Sequence, residues 1–264
     1  MLIDLHVHSH HTAGVSMHPR EAVRRAREAG LDGLVLTDLN TLEGLAEIRE
    51  AAREESFLAL CGVELATDRG HYLCYFPDPE RVPNPPQIFG TTPWPVREVL
   101  GKVLEMGGVV VAAHPYDKSI DRPSGDFIFT LDGLSALEGL CARRKGPAND
   151  LAIEAADHMN LPCVGGSGAH EAADIGKAAT LFKEPVRSEA DLVRQLKAGS
   201  VFCVAIGQQP GAADAPSRGG GRPGGRGPGG GHREGHGGGH GRGGGHGRGP
   251  GRGGRGGGRR DRDR

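Results

Sequence analysis

The sequence has no long apolar run and no paired cysteine motif. Its five cysteines are scattered and form no Cys-x-x-Cys pair, which argues against a disulfide framework and against a zinc knuckle, so we expect free thiols in a reducing compartment. No segment approaches the roughly 18 apolar residues of a membrane span. The N-terminus lacks the basic and apolar regions of a signal peptide. We therefore expect a cytoplasmic protein without membrane contact.

Acidic and apolar residues are both scarce at the C-terminal end. Residues 218–264 contain 25 glycines and 12 arginines but only three acidic residues, which gives this segment a charge of about +9 and leaves about −10 on residues 1–217. A glycine-rich segment with so few apolar residues cannot recover the entropic cost of ordering by burial. We predict a folded domain at residues 1–207 and a disordered Gly/Arg/His-rich tail at residues 208–264.

The arginine-glycine repeats of this tail are typical of segments that bind single-stranded nucleic acid through phosphate contacts and guanidinium stacking. No aromatic residue occurs among them. Residues 218–264 therefore favour, at most, a non-specific electrostatic contact with nucleic acid. A solvated linker without a partner is an equal alternative, and histidine-rich tracts also bind metal loosely.

Short apolar runs alternate with amphipathic helical stretches in the folded part, as in βα units around a parallel sheet. The predicted strands are Leu2–Val7, Gly33–Thr37, Leu58–Val63, Tyr72–Phe76, Val109–Ala113, Leu134–Leu140, Cys163–Ser167 and Val201–Ala205. The first predicted helix begins at Pro19 and ends at Gly30. The other predicted helices cover Leu42–Glu55, Val96–Met106, Asn149–Met159 and Ser188–Ala198. Seven prolines in Pro77–Pro95 exclude a central strand and predict a long loop, of the kind that often acts as a lid.

His6 and His8 lie two residues apart on the first predicted strand, so both side chains leave the same face. Two imidazoles that point together suggest a shared metal ion, although a pair of solvent-facing histidines is an alternative of similar weight. Further polar residues follow other strands, namely Asp38, Glu64, His114 and His170. In a βα barrel the carboxyl ends of the strands meet at one rim, where active sites lie. His71, at the start of the fourth strand, fits this rule less well.

These residues lie in six ordered motifs: Asp4-Leu5-His6-Val7-His8-Ser9, Gly30-Leu31-Asp32-Gly33 with Leu36-Thr37-Asp38, Gly62-Val63-Glu64, His71-Tyr72-Leu73, Ala113-His114-Pro115 and Gly166-Ser167-Gly168-Ala169-His170. Together they resemble the polymerase-and-histidinol-phosphatase (PHP) family of metal-dependent phosphoesterases. The resemblance implies a distorted seven-stranded βα barrel with metal ions on its rim that bind phosphate and activate water.

By the same resemblance, His6, His8 and Glu64 surround one metal, and Glu64 bridges to a second metal that His71 and His114 also bind. His170 belongs to a third metal site. His170 and Asp38 are the catalytic candidates that the resemblance implies.

The chain departs from the family pattern at three places. Leu39 replaces the histidine of Thr-Asp-His, Gly168 replaces the aspartate of Ser-Asp-Ala-His, and no ligand is offered near Gly14. A two-metal site survives with three ligands for each ion, and such nitrogen and carboxylate donors suit manganese, iron or zinc. His10, His11 and His18 lie nearby and are not family ligands. They could substitute, although solvated loop histidines are more common.

The expected function is therefore metal-dependent hydrolysis of a phosphate ester, either a small phosphorylated molecule or a nucleotide, at a reduced two-metal site. The alternative is a catalytically impaired PHP-fold protein that binds metal, a phosphorylated ligand or nucleic acid. The candidate phosphate-binding residues are Lys118, Arg122, Arg143, Arg144 and Lys145.

Overall fold

The computed structural model describes residues 1–144 and 146–207. The predicted tail and its nucleic-acid contact lie outside these residues and stay predictions, as does any role of Lys145. The strands are β1 (Leu2–Val7), β2 (Gly33–Leu36), β3 (Leu58–Cys61), β4 (Val63–Thr67), β5 (Gly70–Tyr75), β6 (Val109–Ala113), β7 (Ala136–Cys141), β8 (Cys163–Gly166), β9 (Ala178–Phe182) and β10 (Val201–Ala205). The α-helices are α1 (Pro19–Glu28), α2 (Leu45–Glu55), α3 (Pro85–Phe89), α4 (Val96–Glu105), α5 (Ala148–His158) and α6 (Glu189–Ala198).

The strands form two mixed five-stranded sheets, in the orders β10-β9-β1-β2-β3 and β4-β5-β6-β7-β8. Strands β1 to β3 and β6 to β8 run parallel within their sheets, whereas β5 and β9 run antiparallel to both of their neighbours. The predicted α/β class is confirmed, but the parallel sheet is not. In the described part of the chain the sheets meet at isolated bridges, Val7 with Ala169 and Leu39 with Glu64, and not as a closed seven-stranded barrel.

The predicted third strand is divided by Gly62 into β3 and β4, which belong to different sheets. A Cβ atom at Gly62 would lie 2.6 Å from the Tyr75 ring and 2.9 Å from the carbonyl oxygen of Cys74. The chain can therefore change sheets at this close approach only because residue 62 has no side chain. Strand β9 was not predicted, because it has only five residues and begins with two alanines, which favour strands weakly.

The five longer helices were predicted within a few residues of their observed bounds. At the start of α1, Pro19 occupies the first turn and the His18 side chain accepts a hydrogen bond from the backbone N–H of Arg20. The apolar face of α1 is buried through Ala22, Val23 and Ala26. The amphipathic pattern thus sets both the position of the helix and the face that it packs.

One core cluster takes side chains from both sheets and from α6, including Ile3, Leu5, Tyr75 and Leu192. The Tyr75 hydroxyl also donates to the carbonyl oxygen of Leu5 at 2.8 Å, which ties the second sheet to β1 of the first. Packing of Ile3 and Leu5 into this core leaves His6 and His8 to project elsewhere from β1.

The proline-rich segment Pro77–Pro95 contains a 3₁₀ turn at Pro79–Arg81 and the short helix α3. Its end is anchored by Trp94, which is fully buried and donates from Nε1 to the carbonyl oxygen of Gly90 at 3.1 Å. All five cysteines are free thiols in the structure. None of the described helices has the length and apolar character that a membrane crossing requires.

Candidate metal centre

The strand arrangement places the predicted metal-binding histidines at neighbouring strand ends. His6 and His8 lie at the end of β1, His114 follows β6 and His170 follows β8. Because β5 is antiparallel to β6, its beginning lies beside the end of β6, and His71 pairs with Ala113. The antiparallel strand therefore explains why His71 did not fit the barrel rule. Glu64 lies inside β4 and not after a strand, which corrects its predicted position.

Three donor atoms converge around one side of Glu64. His6 Nε2 lies 3.0 Å from His8 Nε2, and these two nitrogens lie 3.5 and 3.2 Å from Glu64 Oε2. All three side chains are buried. A tetrahedral ion with bonds of about 2.0–2.2 Å places its ligand atoms about 3.4 Å apart. The observed separations therefore fit one divalent ion.

The opposite ring nitrogens of these histidines are occupied by other partners. His6 Nδ1 donates to Glu138 Oε1 at 2.9 Å, and His8 Nδ1 donates to Thr12 Oγ1 at 3.1 Å. Thr12 is an acceptor here because its hydroxyl donates to Asp38. In neutral rings the two Nε2 lone pairs would then face each other, a repulsive arrangement unless a cation lies between them.

A proton can act as that cation when no metal is bound. Burial disfavours the charged form of His6, but Glu138 and Glu64 outweigh this cost and hold the His6 pKa well above its usual value. The pocket is thus organised to stabilise positive charge at the position where His6, His8 and Glu64 meet.

A second group of donors uses the other oxygen of Glu64. Glu64 Oε1 lies 3.0 Å from His71 Nδ1 and 3.1 Å from His114 Nε2. Burial opposes the charge on Glu64, but His6, His114 and His71 together hold its pKa well below its usual value. One carboxylate therefore contacts two separate pairs of imidazoles, one pair through each oxygen.

His114 has a strained backbone, with φ of +29°. Such conformations cost about 1–3 kcal/mol and cluster at functional sites. Its backbone N–H donates to Glu138 Oε2 at 2.9 Å, which helps to hold this conformation. Its Nδ1 atom is buried and has no hydrogen-bond partner among the described residues. His114 therefore presents Nε2, and not this nitrogen, to Glu64.

Glu138 was missed in the sequence, although it contacts two of the predicted ligands. It is buried in β7, within the sequence Ala-Leu-Glu-Gly-Leu-Cys. An acidic residue inside an apolar strand is a usable signal, because buried charges need a partner or a metal. Cys141 lies beside the same His6 ring. Burial raises the Cys141 pKa to about 11, so its thiol stays protonated near neutral pH.

The side chain of Asp38 holds the loop that follows β1. It accepts hydrogen bonds from the Ser9 backbone at 2.6 Å, the Ser9 hydroxyl at 2.7 Å and the Thr12 hydroxyl at 2.8 Å. Thr12 in turn holds His8. The geometry therefore favours a positioning role for Asp38, and its predicted catalytic role stays a prediction.

His170 lies edge-on to the His8 ring, with ring centroids 4.7 Å apart. Burial and the nearby charges of His8 and Arg143 lower the pKa of His170 to about 4, so its ring is neutral at neutral pH. It belongs to none of the groups of three close donors found in the described residues. Gly168 adopts φ of +61°, and a Cβ atom there would lie 2.8 Å from the Cys141 sulfur.

A cavity of about 230 Å³ opens beside His71, and Arg122 and Thr92 are among its lining residues. Arg143 lies near the position that a Gly168 side chain would occupy. Arg144 instead forms an ion pair with Asp117 at 3.0 Å. Arg122 and Arg143 are therefore the best placed of the predicted phosphate-binding residues within the described ranges, while Lys118 borders a different cavity.

Comparison with known proteins gives two family matches that together span most of residues 4–201. The PHP domain model matches residues 4–120, and the PHP-associated model matches residues 146–201. The chain is also 30% identical over 165 residues to the uncharacterized protein MJ1587 of Methanocaldococcus jannaschii, an alignment that covers 58% of this chain and 90% of that protein.

Solved structures show the same fold at lower identity. A proposed metal-dependent phosphoesterase from Bifidobacterium adolescentis is 22% identical, with a TM-score of 0.55 over 75% of this chain and 96% of that one. PsfC from Pseudomonas syringae is 18% identical, with a TM-score of 0.59 over 79% and 93%. An amidohydrolase from Chromobacterium violaceum, solved with sulfate and no metal, is 18% identical with a TM-score of 0.54 over 79% and 99%. The matched domain models and the archaeal relative show that the chain belongs to the PHP family.

Proposed function

We propose that this protein is a metal-dependent hydrolase of phosphate esters with a centre of two divalent ions. His6, His8 and Glu64 hold one ion, and Glu64, His71 and His114 hold the other. The observation that carries the proposal is the position of the Glu64 carboxylate. Each of its two oxygens contacts a different pair of imidazoles. A carboxylate in this position can bridge two cations that would otherwise repel each other.

The donor set of imidazole nitrogens and carboxylate oxygens suits manganese, iron or zinc. When bound, a pair of such ions lowers the pKa of water to about 7 and clamps a phosphate group. The protein contributes orientation to this centre. Glu138 fixes His6 and the His114 backbone, while Asp38 fixes His8 through Thr12.

The remaining side chains supply substrate binding and the orientation of water. His170, whose ring is neutral near neutral pH, orients the attacking water as a hydrogen-bond acceptor, and Arg122 and Arg143 balance the charge of the phosphate. The cavity beside His71, of about 230 Å³, is below the usual range of roughly 300–1,000 Å³ for sites that hold drug-sized ligands. It favours a small phosphorylated molecule over a larger nucleotide.

The loss of donors at Leu39 and Gly168 supports one alternative, a catalytically impaired PHP-fold protein that binds metal, a phosphorylated ligand or nucleic acid. In that case the two ions would serve binding alone. The two functions predict the same metal content but different turnover.

The test is metal content together with hydrolysis of an aryl phosphate such as p-nitrophenyl phosphate. Full-length protein is stripped with a chelator and reloaded separately with Mn²⁺, Fe²⁺ and Zn²⁺. We expect at least two bound ions per chain and restored turnover with at least one of these metals. His114→Asn should lose turnover and the ion that His71 and His114 hold, whereas His158→Asn, on the exposed end of α5, should lose neither. Two bound ions without turnover on a panel of phosphate esters would favour the alternative.

A further inference from the structure

A second cluster of imidazoles lies outside the metal centre and surrounds Glu47 in α2. His11 Nε2 lies 3.1 Å from Glu47 Oε1, and His10 Nε2 lies 3.5 Å from Glu47 Oε2. His18 Nε2 lies 3.3 Å from the same Oε2 atom. The three histidines come from the loop between β1 and α1, and the carboxylate comes from a different helix.

The conformation of this loop brings two consecutive histidines together. Successive side chains of an extended strand point to opposite faces, yet the His10 and His11 rings are only 4.4 Å apart. The turn is fixed by hydrogen bonds from the Thr12 N–H to the Ser9 carbonyl oxygen and from the His10 N–H to the Met17 carbonyl oxygen, both 2.8 Å long. The pair is thus held on an ordered turn facing α2.

One oxygen of Glu47 is left unsatisfied by this arrangement. Oε2 is buried and has no hydrogen-bond partner in the described part of the chain, although two imidazole nitrogens lie within 3.5 Å of it. These contacts are short but poorly directed for hydrogen bonds. A buried acceptor without a partner has lost its hydration and gained no hydrogen bond in exchange, which is unfavourable. A cation among these donors would remove that cost.

His18 is not counted among the donors. Its Nδ1 accepts a hydrogen bond from the Arg20 backbone at 3.2 Å, as the cap of α1. In a neutral ring Nε2 then carries the proton, and its lone pair is not free to bind a metal. The free donors are His10, His11 and Glu47, whose ligand atoms all lie within 4.8 Å of one another.

We propose that His10, His11 and Glu47 form a further divalent-metal site of the zinc type, separate from the centre at Glu64. Two imidazoles and one carboxylate, with a remaining position open to solvent, are a donor set that zinc accepts. The site does not depend on the proposed function, since none of its three ligands belongs to the first centre. Its ion fastens the loop that carries Thr12 to helix α2.

The probe is Zn²⁺ alone, counted per chain by elemental analysis after gel filtration of the full-length protein. Four histidines of the tail are first replaced by asparagine to remove loose binding there, namely His232, His236, His240 and His246. In this background Glu47→Gln should lose about one zinc equivalent, as should His11→Asn, because each removes one of only three ligands. Glu43→Gln is the matched control. It neutralises a more exposed carboxylate that lies 4.0 Å from His11 Nδ1.

The same three variants are repeated with Glu64→Gln, which empties the first centre. The zinc that remains should then disappear with Glu47→Gln and persist with Glu43→Gln. Thermal melting in the presence of a chelator checks that each variant folds. If the Glu47→Gln variant does not fold, the zinc content of His11→Asn tests the proposed site instead. Equal zinc in all three variants would overturn the proposal, as would the absence of zinc once Glu64 is replaced.

Discussion

Replacement of Glu64 by glutamine is the most direct test of the proposed two-metal centre. The change keeps the size of the side chain but turns one carboxylate oxygen into an amide NH₂ group, which cannot bind a metal. Glu64 is the one residue shared by both proposed ligand sets. Both ions therefore lose the bridging charge, and at least one ion keeps only two protein ligands.

The expected magnitude follows from the contacts that Glu64 makes. Loss of a residue that only orients a ligand weakens metal binding by about 10–100-fold, so loss of a shared ligand should weaken both sites by more than ~100-fold, or about 2.7 kcal/mol. If the ions stabilise the transition state by several kcal/mol, hydrolysis should fall by ~10³-fold or more.

The assay is metal content per chain at a fixed free metal concentration, with phosphoesterase turnover measured on the same samples. Glu189→Gln is the matched control, because Glu189 is also a buried carboxylate but pairs with Arg49 at 2.6 Å. That variant should lose stability and keep both ions. Loss of a single ion in Glu64→Gln, with the other bound at its original affinity, would refute the bridging role.

Three further predictions concern the surroundings of the centre. Glu138→Gln removes the carboxylate that orients His6, so metal affinity in a titration should fall by about 10–100-fold, and an unchanged affinity would exclude a positioning role. Gly168→Asp should lower the melting temperature for two reasons. A left-handed conformation costs an L-residue about 1–2 kcal/mol, and the Cβ atom of the aspartate would press on Cys141. A melting temperature equal to that of the parent would contradict this. If residues 218–264 bind single-stranded DNA through phosphate contacts, affinity should fall steeply with salt and disappear when the tail arginines become glutamine.

The positions of most centre residues could be predicted because they depend on local pattern. The alternation of β1 places His6 and His8 on one face, and the end of β6 places His114 at the same edge. Strand direction is a long-range property. The antiparallel direction of β5, which brings His71 to His114, depends on pairing with β4 and β6. The residues of β5 themselves give no signal of this direction.

Residues that support the ligands were harder to identify than the ligands themselves. Glu138 reaches His6 across 132 positions of sequence, and Thr12 became visible only through its contacts with His8 and Asp38. Neither residue lies in a spacing that predicts metal binding. Their roles come from tertiary packing, which places a hydrogen-bond acceptor at the ring nitrogen that does not face the ion.

The third metal position cannot be considered apart from the first. Gly168 has a left-handed backbone, and the space that a side chain would need there is occupied by the Cys141 sulfur. Cys141 also lies against His6, beside the carboxylate that orients this ring. An aspartate at 168 would therefore displace Cys141 towards a ligand of the first ion. Leu39→His combined with Gly168→Asp would supply one donor to the third position and one to the first, but the aspartate would also press on the Cys141 side chain beside His6. The proposed two-ion centre therefore fits the present packing of these side chains, and an aspartate at position 168 would require β7 and the loop after β8 to repack together.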